Sequence, residues 1–189
     1  MPERNTLVRT MHDVGLAAWF GGSLAGAVAV NGAAADLPDP AMRLKMANAG
    51  WARWSPVNAA SIGTHLIGGA ALLRANRGRV GRQRGVAAMT VTKLVLTGAA
   101  LAVTAYSGAL GKKLSKADDA VVEDGTTPAR STPPDVAHVQ QQLGICQWLI
   151  PALTGGMSVL TALAGEQQRP DQQLAGGIAK RRRWLRATT

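Results

Sequence analysis

The sequence predicts an all-α fold, an integral membrane bundle of four transmembrane helices with both termini cytoplasmic. Three observations predict it. The 189-residue chain holds several apolar runs of bilayer length. Two of them, Val57–Leu73 and Val86–Leu110, flank a turn carrying Arg74, Arg77, Arg79, Arg82 and Arg84, the pattern of a helical hairpin with a cytoplasmic turn. The charge is also sorted along the chain: with four spans, the head, turn and tail share one side and hold thirteen Lys and Arg against four acidic residues, whereas the other side holds seven of each. Cytoplasmic loops are the ones enriched in Lys and Arg, so the net charge of +10 reads first as a topology signal.

Residues 1–13 form a short cytoplasmic head with Arg4 and Arg9, ahead of a membrane domain over 14–165. The first span, 14–34, is 21 residues long, about 30 Å as a helix. It carries Gly22-x-x-x-Gly26, a spacing that lets backbones approach closely. Arg4 and Arg9, the apolar stretch and Ala33-Ala34-Ala35 also have the pattern of a signal peptide with an A-x-A cleavage site, which would leave three spans.

An external segment, 35–56, follows. Asp39-Pro40 is a helix N-cap with proline in the first helical position. Met42, Met46, Trp51 and Trp54 among Arg43, Lys45 and Arg53 then suit a short helix in the outer interface, tryptophans at headgroup level.

The second span covers 57–73 and the third 86–110. The external loop 111–144 starts with Lys112, Lys113 and Lys116. Its Asp, Glu, Thr and Pro content over 117–134 is too polar to pack, and a flexible segment is expected there, with a helix restarting over 135–143. The fourth span, 145–164, has Trp148 near the outer interface, and Pro151 with Gly155-Gly156 predicts a kink or a close helix contact. A cytoplasmic tail, 166–189, ends the chain.

Few chemistry-bearing residues stand out. Cys146 has no second cysteine to pair with and reads as a small apolar helix residue. The candidate polar site is His65 with Lys93. They lie nine residues before Arg74 and nine after Arg84, so a straight antiparallel hairpin places both roughly 13 Å from the arginine level. A charge at that depth is costly, and Lys93 has no acidic partner within any span; it either snorkels toward the headgroups or shares a polar site with His65. Lys180, Arg181, Arg182, Arg183, Trp184 and Arg186 are the lipid-surface candidates: cationic residues are attracted to anionic headgroups, and Trp184 can insert. One such cluster without a recognition fold does not point to nucleic acid.

The sequence shows no nucleophile–base pair, phosphate loop or metal-ligand spacing, so neither catalysis nor a cofactor is expected. The expected function is that of an accessory, scaffold or assembly subunit in the plasma membrane, with lipid and another membrane protein or a second copy as partners. A small transporter or channel using His65 and Lys93 is the alternative. A haem-binding subunit is a third reading, weakened because His12 and His138 fall near opposite surfaces, away from His65. The stretches Gly15-Leu-Ala-Ala-Trp-Phe-Gly-Gly22, Asn48-Ala-Gly-Trp-Ala-Arg-Trp-Ser-Pro-Val-Asn58 and Gly165-Glu-Gln-Gln-Arg-Pro170 give the chain a resemblance to small actinobacterial four-span membrane proteins without an assigned activity. The resemblance implies a membrane location and no chemistry.

Overall fold

A computed structural model describes residues 5–82 and 84–166. The chain is all-α over these residues: α1 (Thr6–Ala25), one π-helical turn (Gly26–Val30), α2 (Asn31–Ala35), α3 (Pro40–Arg82), α4 (Arg84–Leu114) and α5 (Pro134–Glu166). Three stretches, Thr6–Ala35, Ala87–Leu114 and Pro134–Leu163, are helices long and apolar enough to cross a membrane. α3 is a further, 43-residue helix that contains the expected second span but is too polar to join those three on composition.

The expected interfacial helix is the first part of α3. Asp39 caps it as anticipated, its Oδ1 accepting the Ala41 N–H at 3.0 Å. The helix does not stop at Trp54, however; it continues through the exposed Pro56 to Arg82. Trp51 and Trp54 are half-buried against α1 and do not sit free at an interface.

α1 and α3 run antiparallel in one register. A Cβ on Gly15 would lie 2.5 Å from the His65 nitrogen, on Gly22 it would meet the Trp54 ring, on Gly26 the Trp51 ring, and on Gly68 it would lie 2.4 Å from the His12 nitrogen. Val30 packs on Gly50 in turn. The two numbers in each pair add to nearly the same value throughout, so the helices stay side by side from Val8 to Val30, about 33 Å. Lipid tails are as apolar as leucine, so helices in a bilayer associate through close packing, which these glycines permit.

The π-helical turn has a visible consequence. Buried positions on α1 recur every three or four residues (Gly15, Leu16, Trp19, Ser23, Gly26) and then jump five to Asn31 before Ala34. The extra residue rotates the following helix, turning Asn31 into the bundle.

α4 pairs most closely with α5, and α1 also touches α5, while the α3–α4 contact is modest. The hairpin expected from the sequence is thus two consecutive helices that mostly pack against other partners. One buried cluster, Leu16, Trp19, Ala100, Ile150 and Met157, joins α1, α4 and α5. A second comprises Leu44, Leu110, Leu114, Val122, Val136, Leu143 and Cys146. Cys146 is free and buried, in keeping with its reading as an apolar packing residue. Gly155 makes the expected close contact, against the Phe20 ring.

The segment expected to be flexible is folded. Val122 is fully buried and bridges to Pro128. Asp124 Oδ1 accepts from the Thr126 and Thr127 N–H groups, and Thr132 Oγ1 donates to the Val121 carbonyl at 2.6 Å. Polar composition pointed to disorder because the few apolar residues of the loop looked too sparse; here Val122 drops into a core already made by α3, α4 and α5, and carboxylate turns satisfy the backbone.

Candidate functional site

The α1–α3 glycine seam positions the candidate site. Without side chains at Gly15, Gly68 and Gly69, the two helices approach closely enough for His65 of α3 to reach the backbone of α1. His65 is 3% exposed, and its Nδ1–H donates to the His12 carbonyl at 3.0 Å. A carbonyl can only accept, which fixes the tautomer: the proton is on Nδ1 and the lone pair of the neutral ring on Nε2. The His12 ring lies against the His65 ring, centroids 4.3 Å apart and tilted by 40°. His12 Nδ1 is in turn held by Asp13 Oδ1 at 2.8 Å. The Trp19 ring lies 6.2 Å from His65 on the side toward the core.

His65 and Lys93 are not joined by a hydrogen bond. Lys93 is half-buried on α4, where Asp13 attracts it and Arg9 repels it. Its counter-charge therefore comes from the residue just ahead of the first expected span. His12, expected to lie apart from His65, is the ring stacked on it; His138 is exposed and accepts from Gln142 at the far end of the bundle. Lys180, Arg181, Arg182, Arg183, Trp184 and Arg186 lie outside the described residues.

Toward the other end of the seam a second polar layer forms. Asn31 donates to Gln147 Oε1 at 2.6 Å and accepts from Trp51 Nε1 at 3.2 Å, tying α2, α3 and α5 together. Gly125 of the folded loop sits directly on this layer, since a Cβ there would lie 2.6 Å from Asn31 Oδ1. Gln140 donates to the Asp124 carbonyl, Asn48 donates to Asp118, and Arg43 reaches Glu123 at 3.1 Å.

Between the two layers, the Trp19 Nε1, Trp54 Nε1 and Asn58 Oδ1 atoms are buried with no hydrogen-bond partner among the described residues. Leaving a buried donor or acceptor unmet costs about 1–3 kcal/mol each. Asn58 and the two tryptophans were not singled out as polar-site residues from sequence. The signal was there in the spacing Trp51, Trp54, Asn58, Ser61, His65, which alternates three and four and so holds one helix face.

The neutral His65 ring, with Nδ1 occupied, leaves its Nε2 lone pair for a proton or a ligand. Among the described residues no three His, Cys, Asp or Glu side chains are grouped to hold a metal ion. No known protein family, curated protein or solved structure matches the chain.

Proposed function

We propose that the chain is a four-span plasma-membrane protein, termini cytoplasmic, that serves as an accessory or assembly subunit by presenting the outer face of α4 to a partner helix. The observation that carries this reading is the bareness of α4: 11% of its apolar window is buried within the chain, against 39% for α5. Along it Val91, Val95, Gly98, Ala102, Ala105 and Ala109 are exposed at three- and four-residue spacing. A Cβ on Gly98 would meet nothing. Small residues in that pattern suit a second transmembrane helix with its own small-residue face.

The fourth span in this reading is α3. Its support is the antiparallel register: if α1 crosses the bilayer, the stretch of α3 from Gly50 to Gly68 lies at the same depth. Exposed Val57, Leu66, Ile67 and Leu73 then meet lipid, as do Val14 and Val28 on α1. The excess of Lys and Arg supports placing the termini and the arginine turn inside, where the basic tail meets anionic headgroups.

Affinity purification from native membranes in mild detergent, with mass spectrometry, tests the subunit role. A stoichiometric membrane partner that is lost with Gly98→Leu or Ala102→Leu is expected. Reproducible isolation alone, unaffected by those substitutions, rejects the reading.

A second reading, a small transporter, draws support from the cluster that links the buried His65 through His12 to the half-exposed Asp13, which a purely structural helix pair does not need.

A further inference from the structure

α3 turns a hydrogen-bonding side chain toward α1 at each turn over Trp51, Trp54, Asn58, Ser61 and His65. α1 answers with Gly26, Gly22, Trp19, Gly15 and His12, four of which make the close contacts described above. The seam between these helices is therefore a polar column inside an otherwise apolar bundle. Its two ends differ. At the Gly125 end the column is closed: Asn31, Gln147 and Trp51 satisfy one another, and Gly125 covers them. At the His12 end it finishes on Asp13, whose side chain is 44% exposed.

The middle of the column leaves three of its own groups unmet; two further unpartnered buried atoms, Thr104 Oγ1 and Gln140 Oε1, belong to α4 and α5. Ser61 is satisfied by the Val57 carbonyl of its own helix, but Trp19 Nε1 and Trp54 Nε1 offer protons, and Asn58 Oδ1 offers lone pairs, to no described group. The register sets Trp19 opposite Asn58, with Trp54 one turn away. The Trp19 ring lies toward His65 and the Trp54 ring against Gly22, so the two donors and one acceptor are spread along the seam and call for small molecules that both accept and donate. Water does both, and a buried water is held by two to four such partners.

We propose that the α1–α3 seam is a hydrated half-channel, entered from the His12 end and sealed at the Gly125 end, with His65 as its proton-binding station. A proton carried by water bonds to Nε2 of His65 and leaves from the same atom, because Nδ1–H stays on the His12 carbonyl. The imidazolium so formed faces His12 and Asp13 of α1 and Lys93 of α4, with Arg9 acting on Lys93; Asp13 offsets the added charge. Of the titratable residues of α5, Asp135, His138 and Cys146 lie in its first half, toward the Gly125 end, and Glu166 is its last residue. This deepens the transporter reading and rests on the chain spanning a bilayer.

The test uses the full chain in phosphatidylcholine–phosphatidylglycerol vesicles, with resistance to alkaline extraction as the check on insertion. Nuclear magnetic resonance of indole-labelled protein should show water contact at the Trp19 and Trp54 Nε1–H groups, lost from both in Asn58→Leu. Vesicles holding a pH-sensitive dye should keep a proton gradient with the wild-type chain, lose it when Asn31→Ala opens the seal, and regain it in Asn31→Ala/His65→Leu. Gln147→Ala provides an independent opening of the same seal. Extraction by alkali rejects the membrane reading and the proposal together. Insertion with dry indoles rejects the proposal alone, as does a seal variant that leaks no more than wild type. A leak indifferent to His65 contradicts the station.

Discussion

The α1–α3 and α4–α5 pairs are both antiparallel helix contacts in one bundle, yet they are built on different principles. Along α1–α3, glycine on one helix faces tryptophan, histidine or bare backbone on the other, so the contact is close and polar. α4–α5 is held by Leu110, Leu114, Ala100, Ile150, Leu143 and Met157, and its polar content is modest, with Thr97 donating to the Met157 sulfur. The first pair uses close approach to hold polar chemistry at depth. The second packs aliphatic side chains and leaves the outer face of α4 bare. The comparison teaches that glycine placement, more than mean hydropathy, separates a seam able to carry polar groups from one that only holds helices together.

The sharpest way to break that contrast is to add one methyl group inside the α1–α3 seam and one on the bare outer face of α4. Gly15→Ala places a carbon 2.5 Å from the His65 nitrogen and 2.6 Å from the Ser61 carbonyl oxygen, backbone atoms with no freedom to give. A loss of about 3 kcal/mol is expected, the upper end of overpacking costs. Gly98→Ala points into open space in mid-helix and should leave stability unchanged or raise it by up to about 1 kcal/mol. Reversible unfolding in one detergent measures both, and equal effects would erase the distinction. Next in size, Asn31→Ala strands Gln147 Oε1 and Trp51 Nε1 and should cost about 2 kcal/mol in the same assay. Smaller again is the coupling between histidines. A double-mutant cycle on His12→Ala and His65→Leu should give more than about 0.5 kcal/mol, and one on His65→Leu and Lys93→Met less than that. The reverse order would restore His65 and Lys93 as the directly coupled pair. Among the side-chain truncations the smallest cost is expected at the rim, where Glu123→Ala removes an exposed ion pair with Arg43 and should cost under about 0.5 kcal/mol.

Much of this architecture was legible in the sequence, and the misses have physical reasons. Apolar runs of bilayer length and the Asp39 cap marked helices correctly, because hydropathy and capping act within one segment. The partners of those helices were not legible. Arg74 to Arg84 suggested that α3 and α4 pack as a hairpin, but adjacency in sequence says nothing about which glycine faces which tryptophan. Depth counting brought His65 and Lys93 to one level and missed His12, since the match of α1 to α3 depends on Gly15 and Gly68 meeting backbone across the seam. The folded loop was hidden for a similar reason: Val122 is one apolar residue in a polar stretch, and its burial depends on a core assembled from three distant helices.

The central claim is that α3 crosses the bilayer beside α1 despite its polar seam. Single cysteines at Asp39 and Ala75, both exposed positions near opposite ends of α3, test it on a Cys146→Ala background. An impermeant thiol reagent applied to intact cells should label Asp39→Cys and should leave Ala75→Cys untouched until the membrane is opened. Labelling of both positions from the same side would contradict the account.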